Sequence, residues 1–85
     1  MEQDNTRIAV IGIVVEDPGS VEPLNEILHT YRSHIIGRMG IPYRQKGISI
    51  ISIAVDAPQD VISALSGRVG KLPGVSSKTA YAAHG

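Results

Sequence analysis

Three histidines have the greatest capacity for metal chemistry in this sequence. They are His29, His34 and His84, and the chain contains no cysteine. A zinc-type site needs three or four converging ligands, and no two of these histidines share the short spacing of a ligand pair. The pattern therefore favours solvated or locally bonded histidines and predicts no resident metal or cofactor. A site shared between subunits around His34 is the alternative.

The hydroxyl and carboxyl side chains do not form a catalytic pattern. Ser63 and Ser66 fall on the polar side of a predicted helix, without the sharp turn that exposes a nucleophile. Glu22, Glu26 and Asp60 fall near predicted helix starts, where carboxylates stabilise the helix dipole. No nucleophile stands beside a plausible base, so the sequence predicts a protein that is not an enzyme.

Basic side chains gather around the second predicted strand and the loop after it. They are Arg32, Arg38, Arg44 and Lys46. One interpretation is a charged strand edge that discourages unwanted strand pairing. The other is a loop that binds an anion or a partner protein through Arg38, Arg44 and Lys46, with Tyr43 as a further contact.

Composition limits the class of partner. Lysine plus arginine and aspartate plus glutamate number eight each, so the chain lacks the positive field that drives nonspecific DNA binding. Three tyrosines are its only aromatic residues, too few for stacking platforms. No apolar run approaches the length needed to span a bilayer. The sequence predicts a cytoplasmic protein that contacts neither nucleic acid nor membrane directly.

Hydrophobic periodicity predicts six elements within a single domain over residues 1–85, with flexible tails at 1–6 and 83–85. Apolar β-branched runs indicate strands, and apolar residues at helical spacing indicate amphipathic helices. The predicted strands are Arg7–Val15, His34–Ile41, Ile48–Val55 and Val75–Ala82; the predicted helices are Ser20–Arg32 and a second that opens at Ala57–Asp60 and reaches Leu72. This order predicts an α+β, ferredoxin-like βαββαβ fold, in which a four-stranded antiparallel sheet carries both helices on one face. The first and third strands are expected at its centre.

Glycines interrupt the predicted strands. Gly37, Gly40 and Gly47 are interpreted as bulges or tight turns. Gly12 lies inside the first strand, where it marks either a bulge or a close approach of another chain or a ligand.

Both faces of the central strands are apolar, which predicts self-association. In the first strand one face carries Ala9, Ile11, Ile13 and Val15, and the other carries Ile8, Val10 and Val14. The third strand repeats this with Ile51, Ile53 and Val55 against Ile48, Ile50 and Ala54. Two helices cover only one face of such a sheet, so the other is left to water in a monomer. We expect a homo-oligomer, a dimer or tetramer, with an interface at Ile8, Val10, Val14, Ile48 and Ile50.

Several segments together resemble a known family. The first strand, followed by Asp17–Gly19 and a helix, is similar to the start of an ACT-type regulatory domain, as is the closing Leu72–Val75 turn. The segments Arg7–Val15, Ile35–Ser52 and Ala64–Ala82 resemble iron-only hydrogenase system regulators. These are short, free-standing ACT-like proteins, related in fold to the C-terminal domain of the nickel-responsive regulator. The chain departs from that regulator because it has no cysteine for a nickel site and no room for an added DNA-binding segment.

The resemblance implies a small regulatory or accessory protein that binds a small ligand between subunits. It places the ligand at the turn before the first helix, on backbone N–H groups of Gly19 and Ser20, where a helix start favours an anion. Gly12 is the third candidate ligand contact. The alternative function is an oligomeric structural or adaptor module that contacts a partner protein through Pro42–Gly47 and has no small-molecule ligand.

Overall fold

The computed structural model describes residues 5–83 and shows one antiparallel sheet with two helices. The elements are β1 (Arg7–Val15), α1 (Val21–Thr30), β2 (Ile35–Tyr43), β3 (Ile48–Ala57), α2 (Gln59–Gly70) and β4 (Val75–Tyr81). The strand order is β2-β3-β1-β4, so the first and third strands are central, as the sequence predicts. The ferredoxin-like fold class is confirmed.

The core lies between the helices and one face of the central strands. Ala9, Ile11, Ile13 and Val15 of β1 are buried on this face, and in β3 it carries Ile51, Ile53 and Val55. The register pairs Ile11 with Ile53, and residues paired across antiparallel strands point to the same side of the sheet. Alternation along both strands therefore sends one complete set of aliphatic side chains into the core.

The edge strand β2 differs from its prediction in length and in facing. It extends through Pro42 to Tyr43, which leaves Arg44–Gly47 as the turn. Proline is tolerated there because β2 is an edge strand, which has no neighbouring strand on its outer side to accept the N–H that proline lacks. The register shifts between Ile35 and Gly37, so Ile36 is an extra residue in a β-bulge.

The bulge corrects one prediction about β2. Period-two alternation placed Ile35 on the same face as Met39 and Ile41. Ile35 pairs with buried Val55 on the helix side, whereas Met39 pairs with Ser52 on the opposite side. One extra residue reverses the alternation, so that prediction was wrong beyond the bulge.

The turn between β1 and α1 packs against the loop before β4. A short 3₁₀ turn over Pro18–Ser20 precedes α1, and the Ser20 hydroxyl is buried and donates to the Pro73 carbonyl at 2.6 Å. Gly74 has a φ of +68°, and a Cβ there would lie 2.6 Å from the Cβ of Asp17. Glycine is thus required at this close contact, both for its conformation and for its lack of a side chain.

Two further predictions concern the chain ends and the membrane. Residues 1–4, 84 and 85 lie outside the described part of the chain. Most of the predicted flexible tails, and the prediction about His84, therefore lie outside it as well. Neither helix in residues 5–83 has the length and apolar character needed to cross a bilayer.

Candidate functional site

The side of the sheet turned away from the helices is not covered by either helix. We call it the open face. The strand registers place on it Ile8, Val10, Gly12 and Val14 of β1, Ile48, Ile50, Ser52, Ala54 and Asp56 of β3, Gly37, Met39, Ile41 and Tyr43 of β2, and Ser76, Lys78 and Ala80 of β4. All five residues predicted for an oligomer interface, Ile8, Val10, Val14, Ile48 and Ile50, share this face.

Large apolar side chains on the open face remain partly accessible. Ile8 is 38%, Val10 45% and Ile50 41% exposed, and Val14 and Ile48 are half-buried. Monomeric proteins rarely leave so many contiguous aliphatic side chains to water. The position of the predicted interface residues is therefore as expected, while self-association stays a prediction.

Sequence reasoning missed part of the open face. Met39, Ile41 and Tyr43 extend the apolar surface across β2 to the edge of the sheet. The bulge hid this continuity, since it inverts the side on which the later residues of β2 point. Gly37 and Gly40 indicate in the sequence that this strand is irregular. They do not show at which position the extra residue of the bulge lies.

Gly12 lies near the middle of the open face. It pairs with Ser52 on β3 and Lys78 on β4, and Met39 lies beyond Ser52 in the same row. A Cβ at Gly12 would have no heavy atom within 4 Å among its surroundings. The space above this glycine is therefore open, as a close approach of a second chain or a ligand requires.

The turn at Gly19 and Ser20 uses its own backbone donors. The Gly19 N–H donates to Asp17 Oδ1 at 2.9 Å, and the Ser20 N–H donates to the Asp17 carbonyl at 2.9 Å. The next N–H, of Val21, donates to the Pro18 carbonyl. An anion at this helix start would have to displace those bonds. The assignment of Gly19 and Ser20 as ligand contacts stays a prediction with that condition attached.

The basic side chains do not converge on one loop. Arg38 lies on the helix side of β2, where its Nη2 donates to Asn25 Oδ1 at 3.1 Å, while Tyr43 lies on the open face. They are five residue steps apart along the extended strand, roughly 16 Å. Arg44 and Lys46 are exposed in the turn. The predicted group of Arg38, Tyr43, Arg44 and Lys46 is thus divided between two sides of the sheet and the turn.

The residues considered for metal or catalytic chemistry remain apart. His29 is exposed in the last turn of α1, and His34 is half-buried in a 3₁₀ turn before β2. Within residues 5–83, no three histidine, aspartate or glutamate side chains gather closely enough to hold a metal ion. The Ser66 hydroxyl bonds to the Ser63 carbonyl on α2, at 3.4 Å.

Comparison with known proteins identifies one family model. The TM1266-like model, described as "Iron-only hydrogenase system regulator, putative", matches residues 7–79. Those residues include every strand except the end of β4. A comparison with curated protein sequences finds no match.

Solved structures of similar fold include protein TM1266 of Thermotoga maritima. It is 34% identical, with a TM-score of 0.86 over 89% of this chain and 96% of that chain. The C-terminal domain of MgtC from Mycobacterium tuberculosis is 11% identical, with a TM-score of 0.72 over 99% of this chain and 96% of that one.

An enzyme also contains this fold. A formyltetrahydrofolate deformylase from Pseudomonas putida is 14% identical, with a TM-score of 0.66 over 91% of this chain but 30% of the enzyme. At such identities the MgtC and deformylase similarities concern the fold alone.

Proposed function

The chain belongs to the TM1266-like family of iron-only hydrogenase system regulators, and we propose that it acts as a regulatory or accessory protein that works as a homo-oligomer and not as an enzyme. The observation that carries this proposal is the apolar open face. The family assignment supports the regulatory role. The uncovered apolar side of the sheet supports association through a surface as the way the protein acts.

A second copy of the chain is the occupant that the open face favours. An apolar surface is complementary to itself, and a twofold axis brings the same patch together from both protomers. Side chains that are about half exposed contribute about 1 kcal/mol each when covered, so six per protomer supply on the order of 10 kcal/mol to a dimer. Association costs roughly 4–15 kcal/mol, so the gain exceeds the cost only toward the lower end of that range, where a net gain of about 6–8 kcal/mol corresponds to a dissociation constant of about 1–40 μM. Pairing of sheet edges would extend a dimer to a tetramer.

A small ligand between subunits is the second part of the proposal. Of the three candidate contacts, Gly12 is the one with open space above it, and face-to-face packing would enclose that space. Gly19 and Ser20 have backbone donors already bonded within the turn. We therefore propose Gly12 as the first contact of this ligand to test, with Gly19 and Ser20 as contacts only for a ligand that displaces the bonds within the turn.

One observation favours the alternative of an adaptor without a ligand. The turn Arg44–Gly47 is exposed throughout and presents two cations at the end of the sheet, as a protein-binding loop would. The two functions differ in their response to small molecules. A ligand at 100 times its dissociation constant adds about 2.7 kcal/mol to the free energy of unfolding, whereas an adaptor shows no such shift.

Light scattering on the purified protein at micromolar concentration tests the proposal. We expect the mass of a dimer or a tetramer, and a monomeric mass would refute the homo-oligomer. A thermal-shift screen with amino acids and metal ions then separates the two functions. A reproducible rise in Tm supports the ligand, and a flat screen with a retained oligomer supports the adaptor.

A further inference from the structure

A crevice of about 280 Å³ lies on the helix side of the sheet, between α1 and the edge strand β2. It forms because α1 turns its large aliphatic side chains toward the core, where Leu24 and Leu28 are buried. Across from α1, Arg38 and Gly40 stay exposed on β2. The crevice opens on the side of the sheet opposite the open face, and Ile41 at the edge strand is the lining residue that the two surfaces share.

The floor of the crevice is apolar and depends on a glycine. Gly40 pairs with Ile51 of β3, which is buried, and a Cβ at Gly40 would lie 3.9 Å from Ile51 Cγ1. That distance is ordinary van der Waals contact, so a larger side chain fits the strand but occupies the crevice. Val21 of α1 forms part of the opposite wall. An aliphatic group placed here would contact carbon on both sides.

One end of the crevice carries an arginine held by a neutral partner. Arg38 Nη2 donates to Asn25 Oδ1 at 3.1 Å, and both side chains line the crevice. The amide carries no charge, so this bond orients the guanidinium without neutralising it. Arginine has five N–H donors, and two of them in parallel match the two oxygens of a carboxylate. A single arginine balances one negative charge, which favours a monoanion.

We propose that this crevice binds a small aliphatic carboxylate, whose carboxylate pairs with Arg38 and whose hydrocarbon part lies on Gly40 and Ile51. The volume is at the small end of ligand pockets, so it suits a branched group of a few carbon atoms. This inference is independent of self-association and of any ligand at Gly12.

Three probes separate the two halves of the site. Isovalerate carries both the carboxylate and the branched hydrocarbon, 3-methylbutanol keeps the hydrocarbon and loses the charge, and inorganic phosphate keeps negative charge and loses the hydrocarbon. Each is titrated into the ¹⁵N-labelled full chain while backbone amide shifts are recorded. We expect saturable shifts at residues 25, 38 and 40 with isovalerate and a dissociation constant on the order of 1–10 mM, typical of a small fragment. The alcohol should bind at least about tenfold more weakly, because it loses the hydrogen bond to a charged group. Phosphate should also bind at least about tenfold more weakly, because it loses the burial of the branched hydrocarbon.

Two variants and a matched control assign the contacts. Arg38→Gln and Gly40→Val should each weaken isovalerate at least about tenfold, the first by removing the charge and the second by filling the floor. Arg44→Gln removes the same charge from the exposed turn outside the crevice and should leave isovalerate affinity unchanged. Light scattering of all three checks that the oligomer is retained, and the dispersion of the NMR spectrum checks that they fold.

Several outcomes would overturn the site. They are the absence of saturable shifts with isovalerate, shifts confined to another part of the molecule, and equal binding of phosphate. Unchanged isovalerate affinity in Arg38→Gln would do the same. None of these results bears on the mass of the oligomer, so failure of this site and failure of the proposed function are distinguishable.

Discussion

Lysine at both Ile8 and Ile50 is expected to separate the protomers and leave the fold intact, whereas lysine at both Ile11 and Ile53 is expected to unfold the chain. The two pairs occupy the same two central strands and introduce the same charge. They differ in the side of the sheet to which they point. Comparing them therefore tests the assignment of one face to the core and the other to association.

On the core face, the two lysine substitutions should lower the free energy of unfolding by more than the whole stability of the domain. Ile11 is 0% and Ile53 1% exposed, and they pair across β1 and β3. Loss of a buried isoleucine costs about 2–5 kcal/mol, and burial of an unpaired ammonium adds several more. A domain of this size has a free energy of unfolding of about 5–10 kcal/mol. The double variant should therefore lack a cooperative thermal transition.

On the open face, the two lysine substitutions should weaken association of the protomers and have little effect on folding. Ile8 is 38% and Ile50 41% exposed, so covering each contributes about 1 kcal/mol. A dimer contains four such side chains, and their loss raises the dissociation constant by about a thousandfold. Within the separated protomer, lysine in place of a partly exposed isoleucine should shift the free energy of unfolding much less than it does in the core, because its ammonium reaches water.

Light scattering and circular dichroism read the two effects separately. The Ile8→Lys/Ile50→Lys variant should show a monomeric mass with native secondary structure. A matched control places lysine at Ser63 and Ala64, both exposed on α2, and should keep the wild-type mass. If the Ile8→Lys/Ile50→Lys variant keeps the wild-type mass at micromolar concentration, the open face is not the interface. If the Ile11→Lys/Ile53→Lys variant folds, the assignment of the core face is wrong.

Three further substitutions test local features of the fold. Gly12→Val should weaken self-association, because a side chain at residue 12 fills the space above the strand. At high dilution, where the protomers are separate, the same substitution should raise Tm, since valine favours a strand. Gly74→Ala should lower the free energy of unfolding by at least about 2 kcal/mol, because residue 74 has a positive φ and its Cβ would lie too close to Asp17. The control Gly67→Ala in α2 should raise the free energy of unfolding by about 0.5–1 kcal/mol. Chemical denaturation measures both. Ser20→Ala should cost about 1–2 kcal/mol, since it leaves the Pro73 carbonyl without its 2.6 Å donor, and a Tm equal to that of the wild type would contradict this.

Local pattern was sufficient for the elements and their order. The β-branched run Arg7–Val15 has the bounds that the sequence predicts, and both helices lie where apolar residues recur at helical spacing. Helix ends shifted by a residue or two; α1 begins at Val21, with Asp17 bonding the preceding 3₁₀ turn through its side chain. These features follow from short-range sterics and periodicity, which the sequence contains in full.

The composition of both faces of β1 and β3 is likewise a property of the sequence. Alternation divides the aliphatic residues into two sets and shows that neither set is polar. It does not by itself fix which set the helices cover, because both sets are mainly aliphatic, so the interface at Ile8, Val10, Val14, Ile48 and Ile50 was a prediction. The tertiary structure decides this by burying the set that includes Ile11 and Ile53 and leaving the set that includes Ile8 and Ile50 partly open to solvent.

Only the tertiary structure determines the facing of β2. The bulge at Ile36 inverts alternation, so Met39 joins the open face and Arg38 turns toward α1. This outcome depends on where one residue falls relative to a neighbouring strand. Sequence periodicity carries no such information, because a shift of one residue leaves composition unchanged and reverses every contact beyond it.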